Sequence, residues 1–69
     1  MKNFIINKFK ERNTFVIPKQ IFDTHPYEYF NETQMQQLQI ELNDFISDGY
    51  LEKDNSFYRL TKEGYKLLD

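Results

Sequence analysis

Along this chain of 69 residues, apolar positions recur first at helical spacing and later at strand spacing. Phe4, Ile5 and Phe9 share one face, with Lys8 and Arg12 at the same period, which predicts a first helix over residues 2–12. Asn13-Thr14 breaks it. Phe15-Val16-Ile17 is aromatic and β-branched, the composition of a short strand. Pro18 disfavours helix at Ile17 but suits a first helical position, so a short helix is expected from Pro18 to about Thr24, burying Ile21 and Phe22. His25-Pro26 ends that helix and a turn follows through Tyr27-Glu28-Tyr29-Phe30.

Asn31 is a good N-cap, and Gln34 three residues later completes a capping box; Thr33 with Gln36 offers a competing start. The helix that follows runs to Asp48. Its buried stripe is Met35, Leu38, Leu42, Phe45 and Ile46, and Gly49 fits the left-handed position that closes a helix. Tyr50–Lys53 and Phe57–Leu60 then change to strand spacing around Asp54-Asn55-Ser56, a turn of hairpin chemistry. Alternation turns Leu51, Tyr58 and Leu60 inward and Lys53, Phe57 and Arg59 outward. Thr61 caps a last short helix. Gly64 in its first turn permits a close backbone contact, with Tyr65 and Leu68 facing inward.

Composition narrows this picture. A chain this short makes one domain, residues 1–69, near the lower limit for folding on a hydrophobic core alone. It has no Cys, hence neither disulfide nor thiolate metal site, but seven Phe and five Tyr bury large areas per residue. Residues 1–8 lack the apolar run of a signal peptide, and no segment is long and apolar enough to span a bilayer. A cytoplasmic protein without a membrane partner is the expectation.

The net charge of −2 is unevenly spread. Residues 1–19 carry Lys2, Lys8, Lys10, Arg12 and Lys19 against Glu11. From Gln20 to Glu52 there is no Lys or Arg, only Asp23, Glu28, Glu32, Glu41, Asp44, Asp48 and Glu52. Ordinary solvated surface and a functional polarity both explain this. One His, two Gly and no Cys leave no nucleophile–base pair, no phosphate-cradling loop and no metal set, so catalysis, cofactors and metals are not expected. His25, beside Pro26, reads as structural or solvated, and Glu41, Asp44 and Asp48 as one solvated helical edge.

The order helix, short strand, short helix, turn, longer helix, two-stranded hairpin, terminal helix covers nearly the whole chain. With Asp48-Gly49-Tyr50-Leu51 and Tyr58-Arg59-Leu60-Thr61-Lys62-Glu63-Gly64, it resembles the winged helix-turn-helix superfamily, particularly its small prokaryotic and viral regulators. The resemblance implies an α+β domain with residues 18–24 as supporting helix, 32–48 as recognition helix and 50–61 as wing. It implies a DNA partner contacted through Thr33, Gln34, Gln36 and Gln37 on the recognition helix, with Lys19, Lys53 and Arg59 touching phosphates. A dimer would compensate for weak single-copy affinity.

Local charge opposes that reading. The outward face of the third helix carries Thr33, Gln36, Gln37, Ile40, Asp44 and Ser47, with Glu41 beside it, and phosphate contacts supply most non-specific DNA affinity. The alternative is a protein-interaction module without direct DNA binding, centred on Gln37, Ile40 and Asp44. Ile40 lies about 140° from Met35 on the helix, so it is either a scattered surface residue or the middle of such a face. Tyr27, Tyr29 and Phe30 pose the same choice, between a second small core and a binding patch.

Overall fold

The computed structural model describes all 69 residues as a small α+β domain of four helices and a three-stranded antiparallel sheet. Helix α1 spans Lys2–Arg12, strand β1 Val16–Pro18, and helix α2 Gln20–Asp23. A 3₁₀ turn at His25–Glu28 leads into α3, Glu32–Ser47. Strands β2, Leu51–Lys53, and β3, Phe57–Leu60, precede α4 at Lys62–Tyr65 and a closing 3₁₀ turn at Lys66–Leu68.

Local chemistry sets most boundaries. Asn13 closes α1 in the left-handed region, φ 51°, which Asn tolerates better than most residues. At the start of α3, the Gln34 N–H donates to Asn31 Oδ1 at 2.8 Å while the Asn31 N–H donates to Gln34 Oε1 at 2.9 Å. That reciprocal pair decides the start for Asn31 over Thr33. At its end the Tyr50 N–H reaches the Phe45 carbonyl and the Gly49 N–H the Ile46 carbonyl, with Gly49 at φ 83°, a Schellman closure.

The sheet order is β1-β3-β2. Val16, Ile17 and Pro18 lie opposite Arg59, Tyr58 and Phe57, and Leu51, Glu52 and Lys53 opposite Leu60, Arg59 and Tyr58. Pro18 has no N–H to donate, which suits its place in the edge strand β1 beside the central β3. This corrects the expected role of Pro18: it ends β1, and α2 begins only at Gln20. Across the chain, the Lys19 N–H donates to the Ser56 carbonyl at 3.0 Å, so the start of α2 is tied to the hairpin turn.

One core of twelve residues joins all layers: Ile5, Ile6 and Phe9 from α1, Phe22 from α2, four α3 residues from the expected stripe, and Ile17, Leu51, Tyr58 and Leu60 from the inner sheet face. Ile46 of that stripe is only half-buried, as is Ile21. Phe4 leaves the main core to Ile6 and becomes the hub of an aromatic cluster, its ring 5.0 Å from Phe30 and 6.2 Å from both Phe22 and Tyr29. The expected second small core under the turn therefore exists only for Phe30, half-buried against Phe4, while Tyr29 touches it from the surface and is 55 % exposed. Tyr27 stays outside it, 60 % exposed.

The base of the hairpin is held by α4. Thr61 Oγ1 accepts the Gly64 N–H and donates to the Gly49 carbonyl, while the Thr61 N–H donates to the Tyr50 carbonyl. Gly64 is buried against that same Tyr50 carbonyl, and a Cβ there would overlap it. Tyr65, expected inward, instead lies on the surface with its ring 4.4 Å from that of Phe15. Gly64, not Tyr65, is the residue of α4 that faces Tyr50 and Leu60, which leaves the neighbouring Tyr65 to stack on Phe15. No helix is long and apolar enough to cross a membrane.

Candidate nucleic-acid interface and adjoining groove

The residues expected to meet DNA fall into two groups. Thr33, Gln34, Gln36 and Gln37 are all exposed in the first two turns of α3. Gln34 is the exception in function, because its side-chain carbonyl is committed to the capping box. Thr33, Gln36 and Gln37 carry no such commitment and present uncharged donors and acceptors.

Lys19 and Arg59 act on the charge of the hairpin turn, and Lys53 ends β2 just before it. Asp54 organises its turn: Oδ1 accepts the Ser56 N–H at 2.8 Å and the Phe57 N–H at 2.7 Å, and the Asp54 N–H donates to the Phe57 carbonyl. The Ser56 and Phe57 amides hold the Asp54 carboxyl below its ordinary value, with smaller contributions from the charges of Arg59 and Lys19. The outward assignment of Lys53 needs correction. Paired residues share a face of the sheet, so Lys53 opposite Tyr58 and Arg59 opposite Glu52 leave the ribbon on opposite sides. Lys53 is exposed because β2 runs past the margin of the core. Arg59 lies 3.8 Å from Glu52 in an exposed pair, which restrains it weakly.

The acids of α3 are not equivalent. Glu41, read as lying beside the outward face, is half-buried and sits 3.5 Å from the Met1 amino group. Asp44 is exposed and makes no ion pair within the chain. Ile40, 52 % exposed, stands one turn before it, and Gln37 is exposed alongside.

The flank of α3 that faces α2 holds a feature missed in the sequence. Asp23, Tyr27, Met35, Gln36, Gln39 and Ile40 line an open groove of about 630 Å³. Asp23 Oδ1 accepts both the Tyr58 hydroxyl, at 2.8 Å, and the Gln39 amide, at 3.0 Å. Burial, followed by that bond to Asp23, pushes the Tyr58 hydroxyl pKa far up, so Tyr58 remains a donor throughout the physiological range. Asp23 was visible as the one acid of a short apolar helix, but its partners lie 16 and 35 residues away.

A smaller recess of about 290 Å³ is bounded by α1 and the 3₁₀ turn and includes Lys8, Arg12 and His25. Glu11 and Glu28 share it, with Lys8 already 3.6 Å from Glu11, so its charges largely cancel. No three His, Cys, Asp or Glu side chains converge as metal ligands. No protein-family model, curated protein or solved structure matches the chain.

Proposed function

We propose that this chain is a small winged helix-turn-helix regulatory protein that binds DNA, with α2 as supporting helix, α3 as recognition helix and the β2–β3 hairpin as wing. The reading is carried by the bond from the Lys19 N–H to the Ser56 carbonyl. It brings the start of the supporting helix to the wing turn, so that Lys19 and Arg59 both act on Asp54 while Lys53 enters the same turn. Those three cations supply phosphate contacts, and Thr33, Gln36 and Gln37 supply base-edge contacts from the exposed first turns of α3. The half-buried position of Glu41 removes one of the two carboxylates that opposed this reading. Asp44 remains, which confines contact to the N-terminal half of α3.

Fluorescence anisotropy with random-sequence duplex DNA tests it. Three phosphate contacts per protomer imply about 40-fold weaker binding at about 200 mM salt than at about 50 mM. The double variant Lys53→Glu with Arg59→Glu should reduce low-salt binding below detection. Absence of binding by the unmodified chain at low salt would remove the proposal.

A further inference from the structure

The groove between α2 and α3 has the wrong charge for a phosphate and the right construction for a cation on an apolar stem. Its wall combines Met35 with Ile40 and Tyr27, the last two being 52 % and 60 % exposed. Beside that wall lies the Asp23 carboxylate. It is fixed through one oxygen by Tyr58 and Gln39, both neutral donors, and it has no ion-pair partner within the chain. Asp44 follows Ile40 by one helical turn, and no Lys or Arg occurs between Gln20 and Glu52. A half-buried carboxylate that is oriented but not neutralised is complementary to an external cation.

We propose that this groove docks a basic segment of a partner protein by taking up one of its arginine or lysine side chains. The methylenes of that side chain lie along Met35 and Ile40, its charged head meets the second oxygen of Asp23, and the Tyr27 ring stacks beside the cation. Rim charge from Asp44 favours further basic residues next to the anchor. This proposal does not rest on DNA binding: the ligand is a polycation, and the residues that hold it, apart from Gln36, are distinct from those proposed for DNA.

The probe is an acetylated peptide of alternating arginine and leucine, with a control in which citrulline replaces arginine. Both are titrated into the full ¹⁵N-labelled chain. Saturable shifts confined to the amides around Tyr27, Gln36, Gln39 and Ile40 are expected with the arginine peptide and not with the control. Asp23→Asn keeps an oxygen that can accept from Tyr58 and Gln39 but loses the charge. It should weaken binding about tenfold, the loss of one charge-assisted contact. Should that variant unfold, Ile40→Ser removes part of the exposed wall and must weaken binding instead.

Three results would overturn the proposal. One is a set of shifts spread equally over Glu52, Asp54 and Asp69, the mark of general charge attraction. Another is peptide affinity indifferent to Asp23→Asn and Ile40→Ser. The third is a concentration-dependent dimer, seen by sedimentation equilibrium and dissolved by Ile40→Asp, which would assign the groove to a second copy of this chain.

Discussion

The hairpin turn and the α2–α3 groove are both joined to β3 yet handle charge in opposite ways. At the turn, Asp54 Oδ1 accepts two backbone N–H groups and the carboxylate feels the positive charges of Lys19 and Arg59, without an ion pair to either. In the groove, Asp23 is bonded only by neutral donors, and the charge itself remains uncompensated. Tyr58 connects the two, since its backbone belongs to β3 of the hairpin while its hydroxyl holds Asp23. A net charge of −2 therefore conceals a turn where cations gather around an acid and a groove where an acid has no cation beside it. Charge summed over a sequence says little about partners until it is known which charges the fold has already used.

The largest effect is expected where the hairpin is attached rather than where it contacts anything. A Cβ at Gly64 meets the Tyr50 backbone carbonyl, which is fixed by the Thr61 N–H and cannot yield as a side chain end would. Gly64→Ala should cost about 3 kcal/mol in a denaturant unfolding experiment. Gly49→Ala has open space around it and pays only for its left-handed backbone, about 1–2 kcal/mol. Equal costs at the two glycines would show that α4 does not brace the hairpin, and the contrast between a rigid turn and an open groove would lose its basis.

Asp44→Lys sharpens the contrast next, through binding rather than stability. Asp44 is exposed near the C-terminal end of α3, where a cation also suits the helix dipole, so stability should stay within about 0.5 kcal/mol. If α3 faces DNA as proposed, the new cation adds one phosphate contact and steepens the salt dependence by about 0.9 in the logarithmic slope. The same change should weaken the arginine–leucine peptide at the groove. Tighter DNA binding with unchanged peptide binding would separate the two surfaces. Failure to affect either would show that this face of α3 meets no charged partner.

What could be read in the sequence was whatever is decided within about five residues. Asn31 with Gln34, Asp48-Gly49, the Asp54 turn and Thr61 with Gly64 each carry their own hydrogen-bonding chemistry, and each appears where that chemistry places it. Pro18 was ambiguous because strand end and helix start both suit it. Only the pairing of β1 with β3, across some forty residues, decides between them. Ile6 and Phe4 could not be ranked for burial from α1 alone, since their places depend on Phe30 and Phe22. Strict alternation groups Lys53 with Leu51, against the outward expectation for it. What lies opposite it was not legible locally: Tyr58 faces it across the hairpin, in the pair next to Glu52 and Arg59. The groove was invisible for the same reason: Asp23, Gln39 and Tyr58 are distant in sequence, and none carries a local signal of the others.

The smallest expected effect concerns acid. Asp54 has its carboxyl held below the ordinary value of 3.8, first by the Ser56 amide and then by the Phe57 amide. A depressed carboxyl pKa means that the folded state favours the ionised form. Its contribution is therefore complete well above pH 3.8 and is lost as pH falls through the lower folded value. The amide shifts of Ser56 and Phe57 should report that step as the acid limb is followed by NMR, with a midpoint below 3.8. Asp54→Asn retains an acceptor for both N–H groups but cannot titrate in this range, so the step should vanish from those two amides while the hairpin persists. A midpoint at or above 3.8 would mean that the carboxylate gains nothing from the turn.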